Sequence, residues 1–299
     1  MRYTTANLLS LVKKKAFIPD TQNTLDDDDI LELATAELKD NILPMIVSTR
    51  EDFYQTSVTQ TPVNSLLRIP SRAIGMGLRE VKYMQGSWER DLARLNAEDQ
   101  GNVTNTGYPS AFSLEGNKIR ILGSSSCSIK LYYLRRPSVL VQTTAAMAIT
   151  GISTDKKTLT VSAVLSTYSA ATKIDIIKAE VGFEVTDEGI SVESVTGTTL
   201  VFASAVSDDV AVGDWVSLED TSPVPQIPTE LFSLLAQATA VQILDSLGDM
   251  EAKASAEKKL EKMSKNSLDI ITPRVSGETK SFVSPRQRGY YGWGYNGRS

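Results

Sequence analysis

Three pairs of adjacent acids are the chain's best material for acid–base chemistry: Asp187-Glu188, Asp208-Asp209 and Glu219-Asp220. A glycosidase needs two carboxylates set across a deep cleft. These pairs stand in turn-like positions of a segment with short strands, where solvated loop acids are the expected outcome. The chain has no histidine and a single cysteine, Cys127. That removes Ser-His-Asp and Cys-His nucleophilic pairs, histidine metal sites, intrachain disulfides and CxxC redox pairs. Gly75-Met76-Gly77 comes nearest to a phosphate-cradling loop, but it lacks the third glycine and the strand–turn–helix context, so it reads as a turn. The run Asp26-Asp27-Asp28-Asp29 lacks the alternating spacing of a calcium loop and reads as helix capping. No catalytic, cofactor-binding or metal-ligating residue emerges, and the chain is not expected to be an enzyme.

Basic clusters are few. Lys13-Lys14-Lys15 and Arg135-Arg136 are not interleaved with aromatics, and an isoelectric point near 5.1 argues against a dedicated nucleic-acid binder. The last 28 residues differ. Residues 272–299 carry a net +4, leaving −9 on the rest of a chain whose total is −5. They end in a Gly/aromatic stretch that cannot build a core of its own and orders on a partner. The candidate partner-binding residues are Arg274, Arg286, Arg288, Tyr290, Tyr291, Trp293 and Tyr295, because arginine and large aromatics anchor interfaces.

The elements that would carry these groups are legible from periodicity. Residues 4–15 place Leu8, Leu11 and Val12 on one side of a first helix. A second opens with a capping box from Thr24 to Asp27 and repeats Ile30, Ala34, Leu38 and Ile42 every four residues, with a kink at Pro44. Residues 53–141 switch to short β-rich runs, including Phe53-Tyr54 and a hairpin over 112–122 that turns at Gly116-Asn117. Residues 143–221 are rich in Val, Thr, Ser and Ala, with strands expected near 158–162, 173–177, 190–195, 199–202 and 214–218, and a hairpin edge at 210–216. A proline-rich connector, 221–228, leads to a helix capped by Thr229 and then to another from Asp249 to about 266. The fold class is therefore α+β. Residues 1–142 and 223–271 form a core with two N-terminal helices, two C-terminal helices and a short-stranded β region. Residues 143–222 form an inserted small β-barrel or sandwich, and 272–299 an extended arm. No run reaches the ~18–20 apolar residues of a membrane span, and the order Leu8-Leu9 before Lys13 is wrong for a signal peptide. Synthesis in a cytosol is expected.

The order of parts carries a resemblance. It lies in Lys15-Ala16-Phe17-Ile18-Pro19, Ile42-Leu43-Pro44-Met45-Ile46, Arg50-Glu51-Asp52-Phe53-Tyr54, Ile69-Pro70-Ser71-Arg72-Ala73-Ile74-Gly75 and Leu78-Arg79-Glu80-Val81. It continues through Phe112-Ser113-Leu114-Glu115-Gly116-Asn117, Leu131-Tyr132-Tyr133-Leu134-Arg135-Arg136-Pro137 and Leu244-Asp245-Ser246-Leu247-Gly248-Asp249. Over residues 4–141 and 226–276 the chain resembles the head-to-tail adaptor (connector, ring or head-completion) proteins of tailed bacteriophages. The resemblance implies a structural virion protein, made in the host bacterial cytoplasm, that forms a ring of twelve copies at the capsid–tail junction. Its partners would be other copies of itself, the portal protein, and tail or further ring proteins. Double-stranded DNA would pass through the ring during genome ejection without specific binding, and no cofactor or membrane is involved. A ring with −9 on each of about twelve bodies presents on the order of −100 charges, which repel phosphate along a channel wall. Two other readings stand beside it. One is a carbohydrate-binding or carbohydrate-processing protein that uses Tyr168, Trp215 and neighbouring acids of the β segment. The other is a different tail or baseplate structural protein.

Two outcomes are expected. Removing residues 273–299 leaves a folded chain that no longer joins a portal in a co-sedimentation assay; full assembly by the truncated chain would count against the arm. Replacing 144–222 by a short linker leaves the remainder folded by circular dichroism, and aggregation of that remainder would overturn the insertion.

Overall fold

The computed structural model describes residues 3–18, 25–96, 98–99, 107–123, 127–180 and 184–272. The chain is α+β, with helices gathered from both ends of the sequence. The first helix, α1 (Thr5–Lys15), buries Thr5, Leu8, Leu9 and Val12. The second, α2 (Asp27–Glu37), is capped two residues later than the sequence suggested. The Asp26 carboxylate accepts the Asp29 N–H at 2.8 Å, and the Asp29 carboxylate accepts the Asp26 N–H at 3.1 Å. Aspartate serves as well as Ser or Thr in this role and adds negative charge at the positive helix end. Thr24 lies outside the described residues.

The irregularity expected at Pro44 comes one turn earlier, as a change of hydrogen-bond pattern. Leu38–Ile42 form a π turn, and the Leu43 N–H donates to the Leu38 carbonyl five residues back before α3 (Leu43–Thr49) resumes. Proline has no N–H for the carbonyl four residues earlier and its ring collides with it, so widening the preceding turn relieves both conflicts. Phe53-Tyr54 is not a strand but the end of a 3₁₀ turn, Glu51–Tyr54.

From the C-terminal side, α4 (Phe232–Leu247) follows a 3₁₀ turn at Thr229–Leu231 and has no side-chain cap, so Thr229 does not play the part expected of it. The helix is buried nearly all round, from Phe232 through Ala236, Ala238 and Ala240 to Leu244, instead of along one stripe. It packs against α1, α2 and α5 (Met250–Ile271). A helix apolar on every face belongs at the centre of a bundle, and its alanines let neighbours approach closely. Gly248, at φ 74°, ends it, and the Asp249 carboxylate caps α5 by accepting the Ala252 N–H at 3.0 Å.

Two antiparallel-rich sheets form the next layer. β1 (Gln55–Gln60), β8 (Ser128–Leu134), β3 (Glu80–Gln85) and β4 (Trp88–Asp91) make one sheet. β2 (Leu66–Arg68), β7 (Lys118–Leu122), β6 (Ala111–Glu115) and β5 (Ala93–Arg94) make the other. Their inner faces share one core of Leu67, Val81, Phe112, Ile119, Ile121, Ile129, Leu131 and Tyr133. In β8 burial alternates strictly, the period-2 pattern of a half-buried strand. Glu115 pairs with Lys118 across the two-residue loop of the β6–β7 hairpin, where only Gly116 takes a positive φ, 61°. This fits a II′ turn.

Residues 147–218 close a six-stranded barrel in the order β10 (Met147–Ile152), β11 (Thr158–Val161), β14 (Thr199–Phe202), β13 (Val185–Thr196), β12 (Lys173–Ile177) and β15 (Trp215–Leu218), with β15 returning to β10. Its interior holds Ile149, Leu159, Val161, Ile174, Ile176, Val192, Leu200, Phe202 and Val216. The segment before Trp215 is a loop that feeds β15 and not one arm of a hairpin; the Gly213 N–H donates to the Ile149 carbonyl at 2.9 Å.

The chain enters the barrel through β9 (Val139–Leu140) and leaves through β16 (Thr221–Ser222), and these two short strands pair in parallel. The connector from Ser222 to Pro228 is buried, not a solvated linker. Pro223, Pro225 and Pro228 have no N–H to satisfy, which makes this irregular segment cheap to bury. The Val224 N–H finds the Ser222 hydroxyl at 3.1 Å and the Ile227 N–H finds the Pro225 carbonyl at 2.9 Å. The helices grip both crossings. The Thr5 hydroxyl lies 2.7 Å from the Val141 carbonyl and 3.0 Å from that of Pro223, the Thr35 hydroxyl accepts the Leu140 N–H at 3.0 Å, and the Tyr54 hydroxyl donates to the Gln226 carbonyl at 2.8 Å.

Candidate functional site

A buried set of charges surrounds Arg72, in the loop between β2 and β3. Its backbone carbonyl accepts the Arg136 N–H at 2.7 Å, and the neighbouring Ala73 bridges to Arg135. The loop is thereby fixed to the end of β8. The Arg72 side chain is only 5% exposed and runs from the sheets into the outer wall of the barrel. Nη1 donates to Asp175 Oδ2 at 2.7 Å, Nη2 to the Ser138 hydroxyl at 2.6 Å, and Nε meets Asp220 Oδ1 at 2.8 Å, with Glu188 Oε1 at 3.9 Å.

Asp175 sits in β12 between Ile174 and Ile176, which face the barrel interior. Alternation turns it outward, where water would be expected. Instead it is fully buried under Arg72. Gly189, at φ 62°, donates its N–H to Asp175 Oδ1 at 2.9 Å, and Asp220, at φ 66°, donates its N–H to Oδ2 at 3.0 Å. The positive φ of Gly189 coincides with a register slip in the β12–β13 pairing, between Ile174 and Ile176, that aims this N–H at the acid. A side chain at Gly189 would also approach within 2.8 Å of Glu219 Oε1.

Burial pushes the Asp175 carboxyl above the ordinary carboxylate range, with Arg72 and the two backbone donors pulling the other way. Glu188 is raised for the same first reason, opposed by Arg72 and Arg135. Burial lowers Arg135, and repulsion from Arg72 adds to the effect. Arg135 donates to the Val185 carbonyl at 3.1 Å and lies 3.8 Å from Glu188 Oε2. Two arginines and three acids thus form one network joining the sheets to the barrel. An apolar contact of Ile177, Val185 and Trp215 of the barrel with Val224 of the connector and Tyr3 before α1 holds the barrel to the N-terminal segment and the connector.

The acid pairs singled out in the sequence therefore part company. Glu188 and Asp220 belong to this network. Asp187 accepts the Ser207 N–H at 2.9 Å and is raised by burial. Asp208 is the solvated loop acid expected, 95% exposed and 2.6 Å from Lys156. Sequence reasoning missed Asp175 and Arg72. The signal for Asp175 was a lone acid inside the apolar strand Lys173-Ile174-Asp175-Ile176-Ile177, and a charge in such a run asks for a partner. Arg72 had no signal beyond its place in a short loop. The aromatics of the carbohydrate reading serve other purposes. Tyr168 is a barrel-core residue, 4% exposed, and Trp215 packs at the junction. Gly75-Met76-Gly77 falls on a 3₁₀ turn and the loop after it. Among the described residues no cluster of three or more Cys, Asp or Glu could hold a metal ion, and no helix is long and apolar enough to cross a membrane. Arg274, Arg286, Arg288, Tyr290, Tyr291, Trp293 and Tyr295 all lie outside the described residues.

A cleft of about 220 Å³ opens beside the network, lined by Asp52, Phe53, Tyr54, Gln55, Arg135, Arg136, Glu184 and Gln226. A second cavity, about 560 Å³, lies between α1 and α5 and gathers Lys14, Lys15, Lys259 and Lys262 around Phe17, Leu244 and Met263. Burial and the charge of Lys259 lower the Lys15 amine. Set against known proteins, the chain matches no family model and no curated protein.

The network yields a quantitative expectation. Arg72→Met strands Asp175, and Asp175→Leu strands Arg72, so each should cost about 3–5 kcal/mol of unfolding free energy in denaturant melts. The double variant should cost well under the sum, because it leaves no uncompensated buried charge at this pair. Additive losses would show that the pair is not coupled.

Proposed function

We propose that the chain is a structural ring protein of a tailed-phage virion, joining the portal vertex of the capsid to the tail and surrounding the path by which the genome leaves. The observation that carries this reading is how the charged groups are used. Arg72, Asp175, Glu188 and Asp220 cross-link two parts of the molecule, so the acids best placed for chemistry act as fasteners. Arg72 also lies inside Ile69-Pro70-Ser71-Arg72-Ala73-Ile74-Gly75, one of the segments that carry the resemblance to adaptor proteins. A part held between capsid and tail has to transmit force without its pieces shifting, and a buried ionic junction resists sliding because each displaced charge loses its partner.

In this reading residues 1–142 and 223–271 form the ring body, residues 143–222 are the inserted domain that meets other capsid or tail parts, and 272–299 is the docking arm. The helical side of the body supports contacts between copies. Phe17 is 80% exposed, Met250 66% and Ile270 58%, and the four-lysine cavity offers positive charge on a chain whose body is acidic. Ring neighbours meet through two different patches on each copy, so a cationic patch on one and an acidic patch on the next suit a heterologous contact that closes.

Mass photometry and negative-stain imaging of the full chain, alone and mixed with a portal, test the proposal. Closed rings of about twelve copies are expected, formed alone or templated by the portal. A species that stays monomeric under both conditions would overturn it. Assemblies of another symmetry would favour the tail or baseplate reading.

A further inference from the structure

The cleft beside the Arg72 network is lined by a residue, Gln226, with one buried amide donor that no protein atom accepts. Gln226 is 7% exposed, and its side-chain oxygen accepts the Ser138 N–H at 2.8 Å. That bond fixes the amide orientation, since the reverse would set an NH₂ group against an N–H. The Gln226 Nε2 is left buried without a partner, an uncommon condition for a native polar group. Two guanidinium groups line the same space. Arg135 is held back from the nearest carboxylate, Glu188, at 3.8 Å, and Arg136 is exposed, with no ion-pair partner among the described residues. Lys39 adds positive potential nearby: its amine is lowered first by burial and then by the charge of Arg136.

The acceptors on the cleft wall do not balance this set. Asp52 is taken by Arg50, at 2.9 Å, which holds its carboxyl below the ordinary range. Glu184 is exposed, and its charge acts on Arg135 more weakly than that of Glu188. Phe53 and Tyr54 supply an apolar wall. We propose that this cleft is a binding site for a single carboxylate carried on a short hydrocarbon stem, received by Arg135, Arg136 and the Gln226 amide. Planar forks of N–H donors match a carboxylate's two oxygens. A doubly charged phosphate would meet more repulsion from Asp52 and Glu184. The ligand is either a free short-chain acid or the side chain of a glutamate on a partner. This site stands apart from the ring reading, and its failure would leave that reading untouched.

Calorimetric titration of the full chain at fixed ionic strength, with butyrate and with glutamate blocked at both ends, tests the site. Butyramide, blocked glutamine and inorganic phosphate are the comparisons. Saturable binding of a carboxylate is expected, with no binding of the amides and weaker binding of phosphate. Tighter binding of butyrate assigns a free acid, and tighter binding of blocked glutamate assigns a partner's side chain. Arg136→Gln should weaken carboxylate binding about tenfold, the worth of one charge-assisted hydrogen bond. Gln226→Glu, which keeps the oxygen for Ser138 but turns the free donor into a repelling charge, should abolish it. If that variant fails to fold by circular dichroism, the exposed Arg136 carries the test alone. No saturable carboxylate binding, equal binding of the amides, tighter phosphate binding, or an Arg136→Gln variant that binds like the parent would each overturn the proposal.

Discussion

The ionic junction between Arg72 and Asp175 is the constraint on which the rest of the architecture turns. A fully buried carboxylate is tolerable only when its charge is opposed and its lone pairs are occupied. Asp175 meets that demand with one guanidinium and two backbone N–H groups. Each of those donors imposes geometry on the chain that supplies it. Gly189 has to bulge out of β13, Asp220 has to take a left-handed turn, and the Arg72 loop has to bridge to the end of β8. The acid thus dictates backbone at three distant places.

The same economy appears where the chain passes between its parts. The two crossings run side by side as β9 and β16, and hydroxyls from α1, α2 and the turn before β1 occupy their free backbone groups. A connector exposed to water would leave the barrel free to swing. Here prolines remove donors that could not be satisfied in the interior, and the segment can be buried. Central placement of α4 completes the arrangement, because the helix that follows the connector is the one the other helices surround. The barrel is therefore docked against the sheets through an ionic network, and against the connector and the N-terminal segment through an apolar seam, instead of hanging from a tether.

Much of the fold was legible because it rests on short-range rules. The 3.6-residue stripes of α1 and α2, the Gly116-Asn117 hairpin and five of the six barrel strands follow from local pattern. The misses have local causes too. Asp26 provides the cap of α2, the π turn absorbed a conflict that Pro44 only announced, and β10, with glycine near its end, gave a weak strand signal. The ionic site was less legible. Glu188 and Asp220 drew notice as members of acid pairs, but the arginine that organises them lies more than a hundred residues away from Asp175 along the chain.

What the sequence determined by itself was the α+β class, the supply of helices and strands, and the narrow range of chemistry open to a chain with no histidine and one cysteine. These depend on composition and on neighbours within a few residues. Only the tertiary structure decided that Asp175 and Arg72 meet, that a proline-rich connector is interior, and that Tyr168 fills a core while Gln226 keeps a donor in reserve. Burial and charge pairing are set by which surfaces close on one another, and that is a property of the packed chain that no stretch of its residues carries alone.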